Sequence, residues 1–203
     1  MNFLFLLFYD IISTTFGGDI IKTLEEVRDE IIIIENEIEE SCFYSGRSSK
    51  SYREVMNRLS ELYDIEKLLK SKKLISGEEI DIYETRSIGD VVYYLISLHD
   101  TLNLVGFIKV NYSDSVDNFY GNVGYEIKEE YRGNSYAYKA LYLLSDVMIE
   151  RGLFEIVLRI NEENIPSLMT AKKIGADFVS HGTKAHPYDK YHVNLKEKVK
   201  KLC

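Results

Sequence analysis

The sequence predicts an α/β (α+β) protein: a mixed, mostly antiparallel central sheet flanked by helices, behind an N-terminal helical hairpin. Three observations carry that expectation. Apolar residues between positions 19 and 72 recur at steps of three and four, the mark of two amphipathic helices. From residue 79 the rhythm changes to short β-rich runs divided by Gly, Asp and Asn turns, the pattern of an antiparallel meander. After residue 135, helical and strand-like segments alternate, as in a β-α-β unit with a further helix.

Composition narrows the function classes. Hydrophobic residues are 45% and charged residues 29% of 203, a globular mixture that excludes general disorder and collagen-like repeats. The net charge of −8 argues against a nucleic-acid partner, because phosphate neutralisation needs a basic surface. The basic cluster Lys196, Lys198, Lys200 and Lys201 reads as a solvated tail. Cys42 and Cys203 show no paired spacing, which fits a reducing, cytoplasmic location. The four histidines form neither HExxH nor a helical HxxxH pair, so no metal is expected. The opening run Met1 to Phe8 is apolar like a signal-peptide core. No Lys or Arg precedes Lys22, however, and Asp10 stops the run well short of a span; it reads as a packed segment, with no membrane partner.

The elements follow in order. A helix is expected over 19–40, with Ile20, Leu24, Val27, Ile31, Ile34 and Ile38 as its stripe, Ile32 and Ile33 widening it, and Asp19 as cap. Residues 41–50 read as a loop. A second helix is expected over 51–72 with Tyr52, Val55, Leu59, Leu62, Ile65 and Leu69 on one side, closing an αα-hairpin that packs on its own domain, with a homodimer through the hairpin as the alternative. Residues 1–75 are thus read as an extension and 76–203 as the main domain, with Ile80 to Glu84 its first strand. Strands are expected at Val91 to Leu98, Leu104 to Tyr112 and Phe119 to Lys128. A helix over 135–151, a strand at Phe154 to Ile160, a short helix over 164–174 and strands near 176–181 and 190–195 complete the reading.

The chemistry concentrates in Gly124 to Ala137. A strand runs into a turn of small residues that opens a helix, which leaves several backbone N–H groups unpaired at the positive end of a helix dipole. Arg132 adds charge and Gly133 permits close approach, so a pyrophosphate is the natural ligand. Further on, Asn164 suits a helix cap, Pro166 the first turn and Gly175 the stop.

On these residues the chain resembles the GNAT superfamily of acyl-CoA-dependent N-acetyltransferases. Arg132-Gly-Asn-Ser135-Tyr-Ala137 is similar to its R-x-x-G-x-G/A motif, and Asn164-x-x-Ser167 followed by Lys173-x-Gly175 to its next motif. Asp189-Lys-Tyr191-His-Val-Asn-Leu195 is comparable with the end of the branch that includes ribosomal-protein N-terminal acetyltransferases. The resemblance spans about residues 79–195. It implies acetyl-CoA as cosubstrate, its pantetheine arm lying beside Glu126, Ile127 and Lys128 like an added strand. It implies a pyrophosphate on Arg132, Gly133, Asn134, Ser135, Tyr136 and Ala137, and Asn164, Ser167 and Lys173 as further contacts, with Lys172 or Lys173 towards the 3′-phosphate. A backbone N–H at Glu126 or Ile127 would polarise the thioester carbonyl for direct attack by a primary amine, of a small molecule or a protein N-terminus. The chain departs from the family at three positions: Ser135 for a central glycine, Asn122 for the usual glutamate base, and Ala171 where many members have a tyrosine. Glu126 is the candidate substitute base. Tyr125, Tyr188, Tyr191, His186 and His192 are candidates for either a substrate pocket or sheet packing. The alternative reading is a catalytically weak or inactive CoA-binding module.

Overall fold

The computed structural model describes residues 23–42, 50–113, 121–184 and 187–196; the expectations for Asp19, the apolar leader and His186 lie outside them. Two helices come first, α1 (Leu24–Cys42) and α2 (Lys50–Leu69). α1 starts on a capping box. The Glu26 N–H donates to Thr23 Oγ1 at 3.2 Å, and the Thr23 N–H donates to Glu26 Oε2 at 2.7 Å. Val27 and Ile31 are buried against Leu59 and Leu62, and Arg28–Glu66 and Arg58–Glu30 pairs bridge the two helices. Ile32 and Ile33 do not widen the stripe: they are 54% and 55% exposed. Each step turns a helix by about 100°, which carries both off the face that Ile31 occupies. Leu68 leaves the hairpin seam and packs on Tyr83, Leu95 and Leu104, so α2 docks on the sheet.

A strand that the sequence pattern did not separate comes next. β1 (Lys72–Ser76) spans the expected extension boundary and pairs antiparallel with β2 (Ile80–Ile88), so the sheet begins one strand earlier than Ile80. With β3 (Val91–Leu98), β4 (Leu104–Asn111) and β5 (Val123–Ile127) they form a five-stranded antiparallel sheet in sequence order. The β1–β3 edge is organised by Asp81, fully buried, which accepts from Lys73 Nζ (2.7 Å), Ser76 Oγ (2.9 Å) and the Asp100 N–H (3.1 Å), with His99 Nδ1 at 3.0 Å. Burial opposes its ionisation, but the hydrogen bonds from Lys73, His99, Ser76 and Asp100 outweigh it and hold the carboxyl at about 2.

α3 (Tyr136–Glu150) lays Ala140, Leu141, Leu144 and Met148 on the face of this sheet opposite α2. Then follow β6 (Glu155–Ile160), α4 (Ile165–Lys173), β7 (Asp177–Ser180) and β8 (Asp189–Asn194). The mixed, mostly antiparallel sheet divides in two: β6, β8 and β7 form a separate antiparallel sheet in that order. β5 and β6 meet at the Gly121–Leu158 bridge and then part. Asn122, 2% exposed, joins them there. Its N–H donates to Val157 O at 2.9 Å, and its Oδ1 accepts the Val157 N–H at 3.0 Å.

Candidate active site

Where β5 and β6 part, a cleft of about 520 Å3 opens between β5, the segment leading into α3, and α4. Its walls hold Glu126, Ile127, Arg132, Gly133, Ser135, Tyr136, Ala137, Asn164, Ser167 and Lys173, ten of the twelve residues that the sequence offered as acetyl-CoA contacts or base.

The β4–β5 register decides which backbone groups face the cleft. Gly106 stands opposite Ile127, Phe107 opposite Glu126 and Lys109 opposite Gly124. The Lys128 N–H donates to Val105 O at 2.9 Å, and the Asn111 N–H to Asn122 O at 2.7 Å. Antiparallel bonds alternate, so Gly124 and Glu126 bond to β4 while the N–H and C=O of Tyr125 and Ile127 point to the open side. Arg132 confirms the direction, since its Nε donates to Ile127 O at 3.1 Å. The fit of β4 to β5 depends on Gly106: a Cβ there would stand 2.1 Å from Glu126 O.

The turn that follows could cradle an anion. Gly133 has φ +87° and Ser135, the helix cap, φ +61°, so Ser135 takes the left-handed conformation that glycine adopts freely. The first bond into α3 is from the Lys139 N–H to Ser135 O at 3.0 Å. Ser135 caps with its backbone alone, and the N–H groups of Gly133 to Ala137 make no hydrogen bond among the described residues. Lys173 Nζ donates to Ser135 Oγ at 2.5 Å, which places the cation at the cradle.

α4 supplies the opposite wall. Asn164 Oδ1 accepts the Ser167 N–H at 3.2 Å as the expected cap, and Gly175 (φ +73°) ends the helix, with the Ala176 N–H on Ala171 O. Ala171 is buried in the core. Tyr125 lies on the cleft wall with its hydroxyl buried and in hydrogen-bond geometry with nothing among the described residues. Burial pushes that hydroxyl's pKa up, and the nearby Ser167 and Thr170 hydroxyls offset only part of the shift.

Two expected residues stand off the walls. Lys128 sends Nζ to Asp64 Oδ2 of α2 at 2.6 Å, and Asn134 turns back, its Nδ2 donating to Tyr131 O at 3.2 Å. Tyr191 packs on Phe178 and His192 lies beside Glu155, both in the second sheet. Tyr131, Pro166, Met169 and Thr170 line the cleft without having been read as ligand contacts. Three of these were within reach of the pattern. Pro166, Met169 and Lys173, like Ser167 and Thr170, are three or four residues apart and share a helix face. Tyr131 sits in a single 3-10 turn and has no such signal.

The arrangement suits one ligand class. A row of N–H groups without acceptors among the described residues, with a lysine beside it, can hold a diphosphate. A strand edge that no described strand covers can hold an extended amide-bearing arm, and a buried phenol without a partner among the described residues can donate to it. Those are the parts of an acyl-CoA, so the residues present fit that group.

Comparison with known proteins bears on the same region. Residues 49–177 match the model of the acetyltransferase (GNAT) domain. No curated protein sequence matches. Among solved structures, a domain from Methanocaldococcus jannaschii is 20% identical over 54% of this chain and 69% of its own, with a TM-score of 0.44. A single-residue mutant of the spermidine N-acetyltransferase SpeG from Vibrio cholerae is 12% identical over 56% and 70%, at 0.48. RimL, a ribosomal L7/L12 alpha-N-protein acetyltransferase in complex with coenzyme A, is 19% identical over 52% and 63%, at 0.45.

Proposed function

Because the chain belongs to the GNAT acetyltransferase family, we propose that a neutral primary amine, of a small molecule or a protein N-terminus, attacks the acetyl thioester directly, with both reactants held at the open edge of β5. Membership makes the chain an acetyl-CoA-dependent N-acetyltransferase. The observation that carries the finer reading is the continuity of the Tyr125–Ile127 edge, whose N–H groups no strand pairs with among the described residues, with the N–H cradle at Gly133 to Ala137.

When bound, acetyl-CoA supplies an activated acetyl group. The Gly133–Ala137 N–H groups and Lys173 hold the pyrophosphate, and Arg132 adds positive charge at the rim. Asn164 and Ser167 face the pantetheine arm across from β5. The Ile127 N–H, one of the two N–H groups the β5 edge turns outward, orients the thioester carbonyl and stabilises charge developing on its oxygen. Much of the rate comes from holding both reactants in place. Glu126 is exposed on the face opposite α3, next to Ile127, and its carboxylate takes the amine proton. Lys128 acts at a distance, tying the end of β5 to α2 through Asp64.

A CoA-binding module without turnover is the second reading. One observation favours it: Asn122, where the resemblance expects a carboxylate, is spent on Val157. Calorimetry with acetyl-CoA, followed by assay of CoA release with an amine panel, separates the two. Wild type is expected to bind and to release CoA with at least one amine. Arg132→Ala is expected to bind about ten-fold more weakly, Ser135→Glu not at all, and Glu126→Gln to bind normally with slower release. Binding without release by any amine leaves the module; no binding by folded wild type removes both readings.

A further inference from the structure

The cofactor cradle lies on the α3 and α4 side of the fork. The approach left to an acceptor is from the opposite face, where Glu126 stands. Parity assigns the residues of β6 to the two sides. Ile156, Leu158 and Ile160 point to the core under α3, so Val157 and Arg159 point to the acceptor side. Val157 is held at the fork by Asn122. Arg159 is one strand repeat further along, about 6.6 Å from it, where β6 runs on towards Asn164.

Arg159 is set apart by a buried nitrogen that bonds to nothing among the described residues. Of the other described arginines, 28, 58 and 151 each pair with a glutamate, Arg86 lies over the Tyr93 ring and Arg132 donates to Ile127 O. Arg159 is half-buried, pairs with no carboxylate among the described residues, and keeps Nε buried without any hydrogen bond. A guanidinium nitrogen removed from water with nothing to bond is costly. An oxyanion entering from the acceptor side would meet that need. A guanidinium is the group best shaped for a carboxylate, which it binds through two parallel N–H donors.

We propose that Arg159 receives a carboxylate of the acceptor, so that the preferred substrates are primary amines that carry an acidic group. This rests on the transferase reading and narrows its acceptor class. It also sets the pocket against the acidic surface as a whole, which by itself favours cationic amines.

The test uses matched amines, each as the free acid and as its amide: amino acids against amino-acid amides, and dipeptides with a C-terminal acid against a C-terminal amide. Each is titrated calorimetrically into the full chain saturated with CoA, and turnover is then followed by CoA release. Wild type is expected to bind the acid of a matched pair at least ten-fold more tightly than the amide. Arg159→Gln should abolish that preference, raise KM for the acid at least ten-fold and leave kcat within about two-fold, with acetyl-CoA affinity unchanged. Arg159→Lys should restore part of the preference. Equal binding of acid and amide by wild type, or a preference that survives in Arg159→Gln, overturns the assignment. Because binding is read without turnover, discrimination that depends on Arg159 but comes with no CoA release would sink the transferase reading and leave the carboxylate site standing.

Discussion

Gly106→Ala tests whether the catalytic edge is set by backbone fit. The added Cβ would lie 2.1 Å from Glu126 O and 3.0 Å from Ile127 Cα, both backbone atoms that no rotamer change can move aside. To open the shorter contact from 2.1 Å to even 3.0 Å, β5 must retreat by about 0.9 Å, carrying the Ile127 N–H with it. Overpacking of this kind costs about 1–3 kcal/mol. A displacement near 1 Å at a positioning group costs on the order of 100-fold in rate. The cradle at Gly133 to Ala137 lies beyond the strain, so acetyl-CoA affinity should fall far less than kcat. Thermal melting, calorimetry and CoA-release kinetics on one preparation read all three quantities. A Gly106→Ala variant that melts and turns over like wild type would refute the claim that this register positions the reacting edge.

Three further outcomes are expected. Ser135→Gly should keep acetyl-CoA binding and stability within about 1 kcal/mol, because glycine adopts φ +61° freely; Ser135→Val, β-branched in the left-handed region, should lose binding by calorimetry. Asn122→Ala leaves the buried Val157 N–H without an acceptor, so chemical denaturation should show a loss of about 1–3 kcal/mol. Asp81 titrates at about 2 in the folded chain against an ordinary 3.8. A depressed carboxyl stabilises above its unfolded pKa and loses that contribution as pH falls through the folded one. The advantage of wild type over Asp81→Asn, roughly 2–3 kcal/mol, should therefore be full above about pH 5 and fade towards pH 2 in denaturation measured across that range.

The parts of the site that depend on neighbours in sequence were legible beforehand. The Gly133–Ala137 turn, the Asn164 cap and the Gly175 stop are settled by interactions within a few residues, and each stands where the spacing puts it. The α1–α2 seam was legible for the same reason, because helical periodicity is local. Ile32 and Ile33 were misread because hydrophobicity states what a residue prefers, not which side has a neighbour to cover it. β1 was missed because two lysines and a five-residue length leave little alternation to detect.

By itself, then, the sequence determined the order of the elements apart from β1, the Gly133–Ala137 turn and the family. What it left open is relational. Whether Glu126 or Ile127 turns its N–H to the cleft depends on a register held between two separate strands. Whether Lys128 meets a ligand or Asp64 depends on where α2 docks. That Arg159 has no carboxylate partner among the described residues can be known only once those carboxylates have been placed. Such facts arise from contacts between segments distant along the chain, which only the folded structure brings together.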